Sequence, residues 1–412
     1  MSKDFAQTAP AFPADAVAAI ARPPRLRVLA VLSALMGFAS ISTDLYLPAM
    51  PTMAADLQAD AGSIELTVSG FLIGFSLGQL LWGPLGDRYG RRIPVAVGLL
   101  LFVIGSGGCG LSASSGQMIF WRVVQAVGAC SGVVLSRAMV RDLYEGSRAA
   151  QMLSALITVM AVAPLLGPIV GGQVLAIAGW RAIFGLLVVL GLATLAALFT
   201  IPETLPIEMR RKDSLLSSLR GYGRLLMHRR LIGFAATGGF FFAGVYAYIA
   251  GTPFAFIEYY HVPPQLYGVL FALGIIGIML ANVANARLVD RFRSQRLLQF
   301  GAIGAATCGV VLFVTGSSGW GGLAGLAIPL FVFVSWSGLI VANSIGGALQ
   351  DFPERAGAVS ALVGALHYGC GILGSVAVST FANGTPVPLA VVVGVAGVGC
   401  LASLLLLPPA KR

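Results

Sequence analysis

The sequence predicts an all-α membrane protein in which 12 transmembrane helices form two six-helix bundles. Of its 412 residues, 57% are hydrophobic and only 10% are charged, which is more apolar side chain than one water-soluble core can bury. Apolar runs of about 20 residues, the length that crosses a bilayer, recur twelve times. Between them, lysine and arginine collect in every second loop, the pattern of a polytopic membrane protein.

The spans are predicted, in chain order, over residues 28–50, 64–85, 93–112, 117–140, 150–175, 180–201, 231–257, 267–287, 296–316, 320–346, 356–381 and 386–408. Residues 203–230 form the longest charged stretch and separate spans 6 and 7. We therefore expect an N-terminal tail over 1–27, a six-helix bundle over 28–202, a linker over 203–230, a second bundle over 231–408 and a C-terminal tail over 409–412. The run 288–292 (LVDRF) echoes 85–89 (LGDRY) at the matching loop of the other half, as expected for transporter halves with a site between them.

The distribution of basic residues predicts the orientation. Of the 26 lysines and arginines, all but Arg122 and Arg181 fall in the termini or at the loops after spans 2, 4, 6, 8 and 10. Because basic loops are retained on the cytoplasmic side, both termini should be cytoplasmic. The net charge of +10 is explained by these loops, so no nucleic-acid partner is expected.

The cysteines and histidines predict neither disulfides nor a metal site. All five cysteines fall inside apolar runs, and only His367 lies near one of them in sequence, Cys370. The three histidines are far apart in the sequence, which leaves no cluster for a metal or a membrane enzyme. No phosphate-binding glycine loop with a following lysine is present. The sequence therefore predicts no enzyme and no cofactor.

The loop between spans 2 and 3 is short and charged. It contains the glycines Gly83, Gly86 and Gly90 and the charged residues Asp87, Arg88, Arg91 and Arg92. Glycine allows two helices to approach closely at such a turn. We expect Asp87 to bind the positive N-terminal end of span 11 and one of the arginines to reach Asp142, so that the loop closes a cytoplasmic gate. The alternative is simple retention of basic residues on that side, which leaves Asp87 and the glycines unexplained.

Two opposite charges lie inside the first half. Asp44 lies in span 1 and Arg122 in span 4, at similar depth from the outer surface. Burying an ionised carboxylate costs several kcal/mol, so we expect Asp44 to bind and release a proton. Arg122 is expected to favour the charged form of Asp44 in one conformation and to leave it in another. The alternatives are a permanently paired Asp44, and an Arg122 that only braces span 4 through backbone carbonyls.

Aromatic and polar residues near these charges predict a substrate cavity. Span 7 is rich in aromatic residues that offer apolar contact to flat or amphiphilic molecules. The candidate cavity residues are Tyr46, Gln125, Phe240, Tyr246 and His367. For His367, packing with a hydrogen bond is the alternative to a role in proton handling.

The run from Gly83 to Arg92 resembles the loop motif of the major facilitator superfamily. Three further stretches are similar to its proton-driven drug exporters: Arg122, Gln125 and Gly128; Gly167, Pro168, Gly171 and Gly172; and Pro202, Glu203 and Thr204. The second stretch is a pattern associated with antiporters. The segment 42–51 (STDLYLPAMP) resembles the Bcr/CflA family of bicyclomycin and sulfonamide exporters. A departure is Ala126, where many relatives have glycine.

This resemblance implies a proton-coupled multidrug exporter of the bacterial inner membrane that acts on small amphiphilic antibiotics by alternating access. Its partners would be the drug, protons and the lipid bilayer, and a monomer is expected. Gly167, Pro168, Gly171 and Gly172 are expected to kink span 5. The resemblance to antiporters implies that this kink seals one end of the cavity against proton leak, and a plain packing kink is the alternative. A proton symporter or facilitator for a metabolite, on the same fold, is the alternative.

Overall fold

A computed structural model describes residues 25–210, 222–289 and 291–407. Residues 1–24 of the predicted N-terminal tail, residues 211–221 of the linker, Asp290 of the internal echo and residues 408–412, which include the whole predicted C-terminal tail, lie outside the described residues. Within those residues, eleven helices are long and apolar enough to cross a membrane. One of them, Gly146–Leu198, leaves helical geometry at Gly179, where φ is 77°, and therefore supplies two spans. The fold class of 12 membrane helices is confirmed.

We number the spans 1 to 12. Their helices are, for spans 1 to 4, Arg25–Asp44, Ala61–Tyr89, Arg92–Gly110 and Ser115–Leu143; for spans 5 and 6 together, Gly146–Leu198; for spans 7 to 9, Arg229–Pro253, Pro264–Leu288 and Ser294–Ser318; for span 10, Gly322–Ser335 and Ser337–Leu349; and for spans 11 and 12, Ala356–Thr380 and Val387–Ala402. A π-helical segment, Phe254–Tyr259, continues span 7.

Span 1 ends earlier than its hydropathy predicts. Its regular helix stops at Asp44, and the chain continues through a 3₁₀ turn, Leu47–Ala49, and a short helix, Met50–Asp56. Pro48 lies inside the turn, and a proline cannot donate the backbone hydrogen bond that a continuing helix needs. Asp44 is thus placed at a helix end, next to irregular backbone.

The spans have two ends that we name by their charge. The basic face is the end that carries Arg88, Arg91, Arg141 and Arg355, and the opposite face is the end that carries Asp56 and Asp60. Near the basic face a vestibule of about 720 Å³ opens, bounded by spans 2, 4 and 11 and the end of the linker.

Near the opposite face, the first and second groups of six spans are in close contact. The Ser69 hydroxyl of span 2 donates to the Ser375 hydroxyl of span 11 over 2.9 Å. Gly268 of span 8 has no room for a side chain, since a Cβ there would lie 2.8 Å from the carbonyl oxygen of Pro168 in span 5. We call these two contacts the opposite-face closure. The division of the chain into two bundles remains a prediction.

Candidate functional site

A central cavity of about 160 Å³ lies between the two groups of spans. Its wall is mostly aromatic and aliphatic, and Asp44 is the one charged residue among the described residues that line it. The lining residues are Ala39, Ser40, Thr43, Asp44, Phe71, Phe75, Pro164, Val245, Tyr246, Tyr248, Ile249, Phe271, Gly274, Ile275, Ile278, Val334 and Tyr368. An apolar wall with a single carboxyl fits an amphiphilic ligand and one proton.

Asp44 is buried, with 5% of its surface exposed, and faces this cavity. Within the described parts of the chain, its carboxyl takes part in neither an ion pair nor a hydrogen bond. Span 5 passes directly behind it: a Cβ on Gly167 would lie 2.9 Å from the Cβ of Asp44. The carboxyl is therefore free to bind a proton or a ligand group from the cavity.

Arg122 is fully buried beside the end of span 1. It donates to the Ser42 carbonyl oxygen over 2.8 Å and to the Gln125 side chain over 2.6 Å. The guanidinium also lies over the rings of Tyr46 and Phe71, 4.3 and 4.5 Å from their centroids. Cation–π contacts of this kind stabilise a desolvated positive charge. In this conformation Arg122 thus braces the backbone two residues before Asp44 and, among the described residues, forms no ion pair.

Of the five predicted cavity residues, only Tyr246 lines the cavity. The Tyr46 hydroxyl is engaged by Thr67 at 3.1 Å, and Gln125 spans between Arg122 and Ser106. Phe240 is 42% exposed on the outside of the spans, where it covers Gly399 of span 12. His367 is buried against the Phe242 ring. These four residues do not line the cavity. Tyr46 and Gln125 contact Arg122 instead, and for Phe240 and His367 a span that is apolar on every side does not reveal which face points inward.

The glycines of span 5 allow two close helix contacts. Gly171 faces the backbone of Leu45, and a Cβ there would overlap the Leu45 carbonyl oxygen. Gly172 faces the other group of spans, where its Cβ would lie 3.2 Å from the carbonyl oxygen of Pro264. Gly167 and Gly171 therefore fit span 5 against the Asp44 segment. Pro168 and Gly172 contact span 8, and the Pro168 contact is part of the opposite-face closure.

The loop between spans 2 and 3 forms an ionic network at the basic face. Arg91 contacts Asp87 at 2.7 Å and Asp142 at 2.8 Å. Arg91 lies outside the spans, and although burial opposes its charged form, the hydrogen bonds and charges of Asp142 and Asp87 raise its pKa. Arg88 and Arg92 instead lie over Tyr89 and Phe199. Arg91 is thus the arginine that reaches Asp142, as the sequence predicts for one of the three.

The glycines of this loop differ in their surroundings. Gly90 has a φ of 89°, and its missing side chain leaves room for the Glu203 carboxylate, 2.6 Å from an ideal Cβ. Gly86 is covered by Leu135 of span 4. Gly83 has open space around it and borders the vestibule. Asp87 and the start of span 11 both line the vestibule, and no hydrogen bond joins them in the described residues.

Glu203 has a role in this network that the sequence analysis did not assign. Its carboxylate accepts from the backbone N–H groups of Arg91 and Arg92, at 2.8 and 3.1 Å. The first N–H groups of a helix have no partner within it, so this carboxylate caps the start of span 3. The neighbouring Thr204 hydroxyl donates to Asp142 over 3.2 Å. In the sequence, the available signal for Glu203 was its position next to Thr204. The contact of Glu203 with the Arg91 and Arg92 amides joins residues more than 100 positions apart.

Glu65 was also missed. It lies in the first two turns of span 2, 3% exposed, and its Oε2 atom is buried without a hydrogen-bond partner. The predicted span 2 begins at residue 64, so Glu65 stands at its very start, and the sequence analysis gave it no role. The longer helix, Ala61–Tyr89, places it inside the protein.

Comparison with known proteins gives the same fold and family. The model of the Major Facilitator Superfamily matches residues 32–375. YdgK of Bacillus subtilis (strain 168), an uncharacterized MFS-type transporter, is 34% identical over 85% of this chain and 87% of its own length. The bicyclomycin resistance protein homolog of Haemophilus influenzae is 30% identical over 85% and 88%, and multidrug resistance protein D of Escherichia coli (strain K12) is 28% identical over 86% and 89%. The xylose transporter XylE of E. coli, in a partially occluded inward open conformation, matches with a TM-score of 0.72 and 16% identity over 94% of this chain and 98% of its own.

Proposed function

The chain belongs to the Major Facilitator Superfamily and is a multi-pass membrane transporter rather than an enzyme; from this premise we propose that it is a proton-coupled multidrug exporter of the Bcr/CflA type. Its substrates are small amphiphilic antibiotics such as bicyclomycin, sulfonamides or chloramphenicol-like compounds. The names of two relatives, a bicyclomycin resistance protein homolog and multidrug resistance protein D, support this class. So does the aromatic and aliphatic wall of the central cavity.

The observation that carries the proposal is Asp44. It is a lone carboxyl in an apolar cavity between the two groups of spans, without an ion-pair partner among the described residues. Such a group is stable when protonated and costly when ionised. A drug that enters the cavity and a proton therefore compete for the same carboxyl. Export follows if drug entry releases the proton to one side and drug departure lets a proton bind from the other.

Alternating access requires the cavity to open to one face at a time. The vestibule lies at the basic face, and the opposite-face closure seals the other end. With the basic face towards the cytoplasm, this conformation is closed to the outside. Closing the vestibule brings Asp87 to the N-terminal end of span 11, where the helix dipole favours a negative charge.

The proton gradient supplies enough free energy for export. One charge that crosses a potential of 100 mV contributes about 2.3 kcal/mol. Since 1.4 kcal/mol corresponds to a tenfold concentration ratio, one proton supports a drug gradient of roughly fortyfold per 100 mV. We place the protein in the bacterial inner membrane as a monomer with both termini in the cytoplasm.

The test is a drug-susceptibility panel in an efflux-deficient bacterium that expresses the wild type or Asp44→Asn, followed by drug uptake into inverted membrane vesicles with an imposed pH gradient. We expect resistance from the wild type, and from the variant neither resistance nor gradient-driven accumulation. Drug binding should persist in the variant, because the aromatic wall is intact. Full antiport by Asp44→Asn would refute the proton role. Greater drug accumulation in intact cells that express the wild type would refute the direction.

A further inference from the structure

Glu65 is a buried carboxyl that takes no part in the proposed proton transfer at Asp44. It belongs to span 2 near the opposite face, and its Oε2 atom has no hydrogen-bond partner. It borders a separate cavity of about 50 Å³, formed by the ends of spans 2, 7 and 11 and the start of span 12. This cavity and the central cavity share no lining residue.

The surroundings of Glu65 disfavour a negative charge. The exposed Glu258 of the segment after span 7 borders the same cavity, and Asp60 at the start of span 2 acts on Glu65 through its charge. Tyr259, Asn383 and Thr385 are the polar neutral neighbours, and the described lining contains no lysine, arginine or histidine. When all the charged neighbours of a buried carboxylate are acidic, no positive charge compensates for its desolvation. Protonation removes that cost.

The side chains of span 11 leave the Glu65 carboxyl incompletely hydrogen-bonded. The Ser379 hydroxyl is directed to its own helix, where it donates to the Ser375 carbonyl oxygen over 2.8 Å, and the Oε2 atom of Glu65 has no hydrogen-bond partner among the described residues. One helical turn before Ser379, the Ser375 hydroxyl accepts from Ser69 in the opposite-face closure.

The same place is a moving contact in alternating access. Gly62 lies one turn before Glu65, and a Cβ there would overlap the Ser379 carbonyl oxygen, so spans 2 and 11 are in backbone contact around the carboxyl. When the opposite face opens, these spans separate and water reaches Glu65. Its burial is therefore a property of one conformation.

We propose that Glu65 is a second proton-binding site, which holds a proton while the opposite face is closed and releases it when that face opens. This rests on the proposed alternating-access function. The released proton passes from the Glu65 carboxyl to water at the opposite face, and a proton from the same water returns when the face closes. Because both steps exchange with one side, Glu65 adds no proton to the transport stoichiometry. It makes opening of the outer face depend on external pH.

The test measures the width of the opposite face directly. Spin labels are attached to Ala55→Cys and Phe381→Cys, which replace exposed residues beside span 1 and at the end of span 11, with the native cysteines replaced. Pulsed electron–electron double resonance then measures the distance between the two spin labels in nanodiscs between pH 5 and 9. An Asp44→Asn background removes the contribution of the central carboxyl.

We expect the longer distance to gain population as the pH rises, by up to about tenfold per pH unit for one released proton. Glu65→Gln should show a small population at the longer distance that does not change with pH. Glu258→Gln, which alters the exposed carboxyl of the same cavity, should respond like its parent. An unchanged response in Glu65→Gln, no response in the parent, or a response to sodium instead of protons would each overturn the proposal. If Glu65→Gln does not fold, Glu65→Asp decides: a shifted midpoint supports the proposal and an unshifted one refutes it.

Transport assays separate this proposal from the proposed function. Glu65→Gln should retain gradient-driven accumulation at a reduced rate that does not increase with external pH, whereas Asp44→Asn should lose accumulation altogether. Retained antiport in Asp44→Asn would refute Asp44 as the proton carrier. It would not decide the role of Glu65, which the distance measurement tests separately.

Discussion

Arg122 holds the proton site in place without pairing with it. The guanidinium binds the Ser42 carbonyl of span 1 and lies between two aromatic rings. The break in span 1 after Asp44 leaves carbonyl groups near the helix end without helical partners, and Arg122 satisfies one of these. Any movement of span 4 is thereby passed to the backbone that carries Asp44.

Arg122→Ala should destabilise the protein strongly. The change leaves the Ser42 carbonyl and the Gln125 side chain without their donor, and each unsatisfied buried group costs about 1–3 kcal/mol. Thermal unfolding in detergent should show a clear loss of stability. The matched control is Arg181→Ala, whose exposed ion pair with Asp56 spans 2.7 Å and contributes about 0–1 kcal/mol. Equal melting temperatures for the two variants would contradict the bracing role.

Asp44 and Glu65 differ in how much the sequence reveals about their burial. Asp44 is the lone acid of a long apolar run, so its burial follows from its neighbours in the chain. Glu65 stands five residues after Asp60, near the start of a span. Glu65 is buried against Ser379 of span 11, which lies more than 300 residues away in the chain. Such a long-range contact leaves no pattern in the sequence around Glu65. The sequence predicts Arg122 at the depth of Asp44, but it does not predict the hydrogen bonds of Arg122, which depend on the helix faces that meet there.

At the scale of elements, the span 5 glycines determine how near span 5 comes to the Asp44 segment. Gly171→Ala should disrupt this contact, because its Cβ would overlap the Leu45 carbonyl oxygen, and backbone cannot move aside as a flexible side chain can. We expect loss of drug transport and a lower melting temperature. Gly185→Ala in span 6 is the control, since nothing lies within 4 Å of its Cβ. It should be neutral or stabilising by about 0.5–1 kcal/mol. Wild-type transport by Gly171→Ala would refute the close contact.

Glu203 ties the segment after span 6 to the start of span 3. In Glu203→Gln the charged acceptor is lost, and hydrogen bonds to a charged group are worth about 1.5–3 kcal/mol. Hydrogen exchange of the Arg91 and Arg92 amides, followed by mass spectrometry of the peptide that contains them, should become faster by about tenfold or more. Glu208→Gln alters an exposed residue of the same segment and should leave this exchange unchanged. Unaltered exchange in Glu203→Gln would exclude the cap.

The spans themselves could be predicted from the sequence because hydropathy and length are local properties. Even the short break between spans 5 and 6 was found, although the helix is interrupted there at Gly179 alone. The inward faces could not be predicted. Phe240 and Tyr246 lie six residues apart in one apolar helix, yet the first covers span 12 and the second lines the cavity. Which of them points inward is decided by the neighbouring helices, which the sequence of span 7 does not specify.

At the scale of the whole molecule, transport depends on whether spans 1–6 move as one body against spans 7–12. Two pairs of hydroxyl groups allow this to be tested at equal separation. Ser69 and Ser375 join the two groups of spans, with 2.9 Å between their oxygens. Ser403 and Thr237 also lie 2.9 Å apart, but both belong to the second group.

A disulfide in place of the first pair should stop transport, whereas a disulfide in place of the second pair should leave transport unchanged. With the five native cysteines replaced, Ser69→Cys with Ser375→Cys should lose drug transport on oxidation and regain it on reduction, because the opposite face can no longer open. Thr237→Cys with Ser403→Cys should form its disulfide and keep transporting, since its two spans move together. Drug uptake into vesicles, with disulfide formation followed by mass spectrometry, measures both. Transport through an oxidised Ser69–Ser375 pair would mean that this contact never separates, and arrest by the second pair would mean that the second group is not a rigid body.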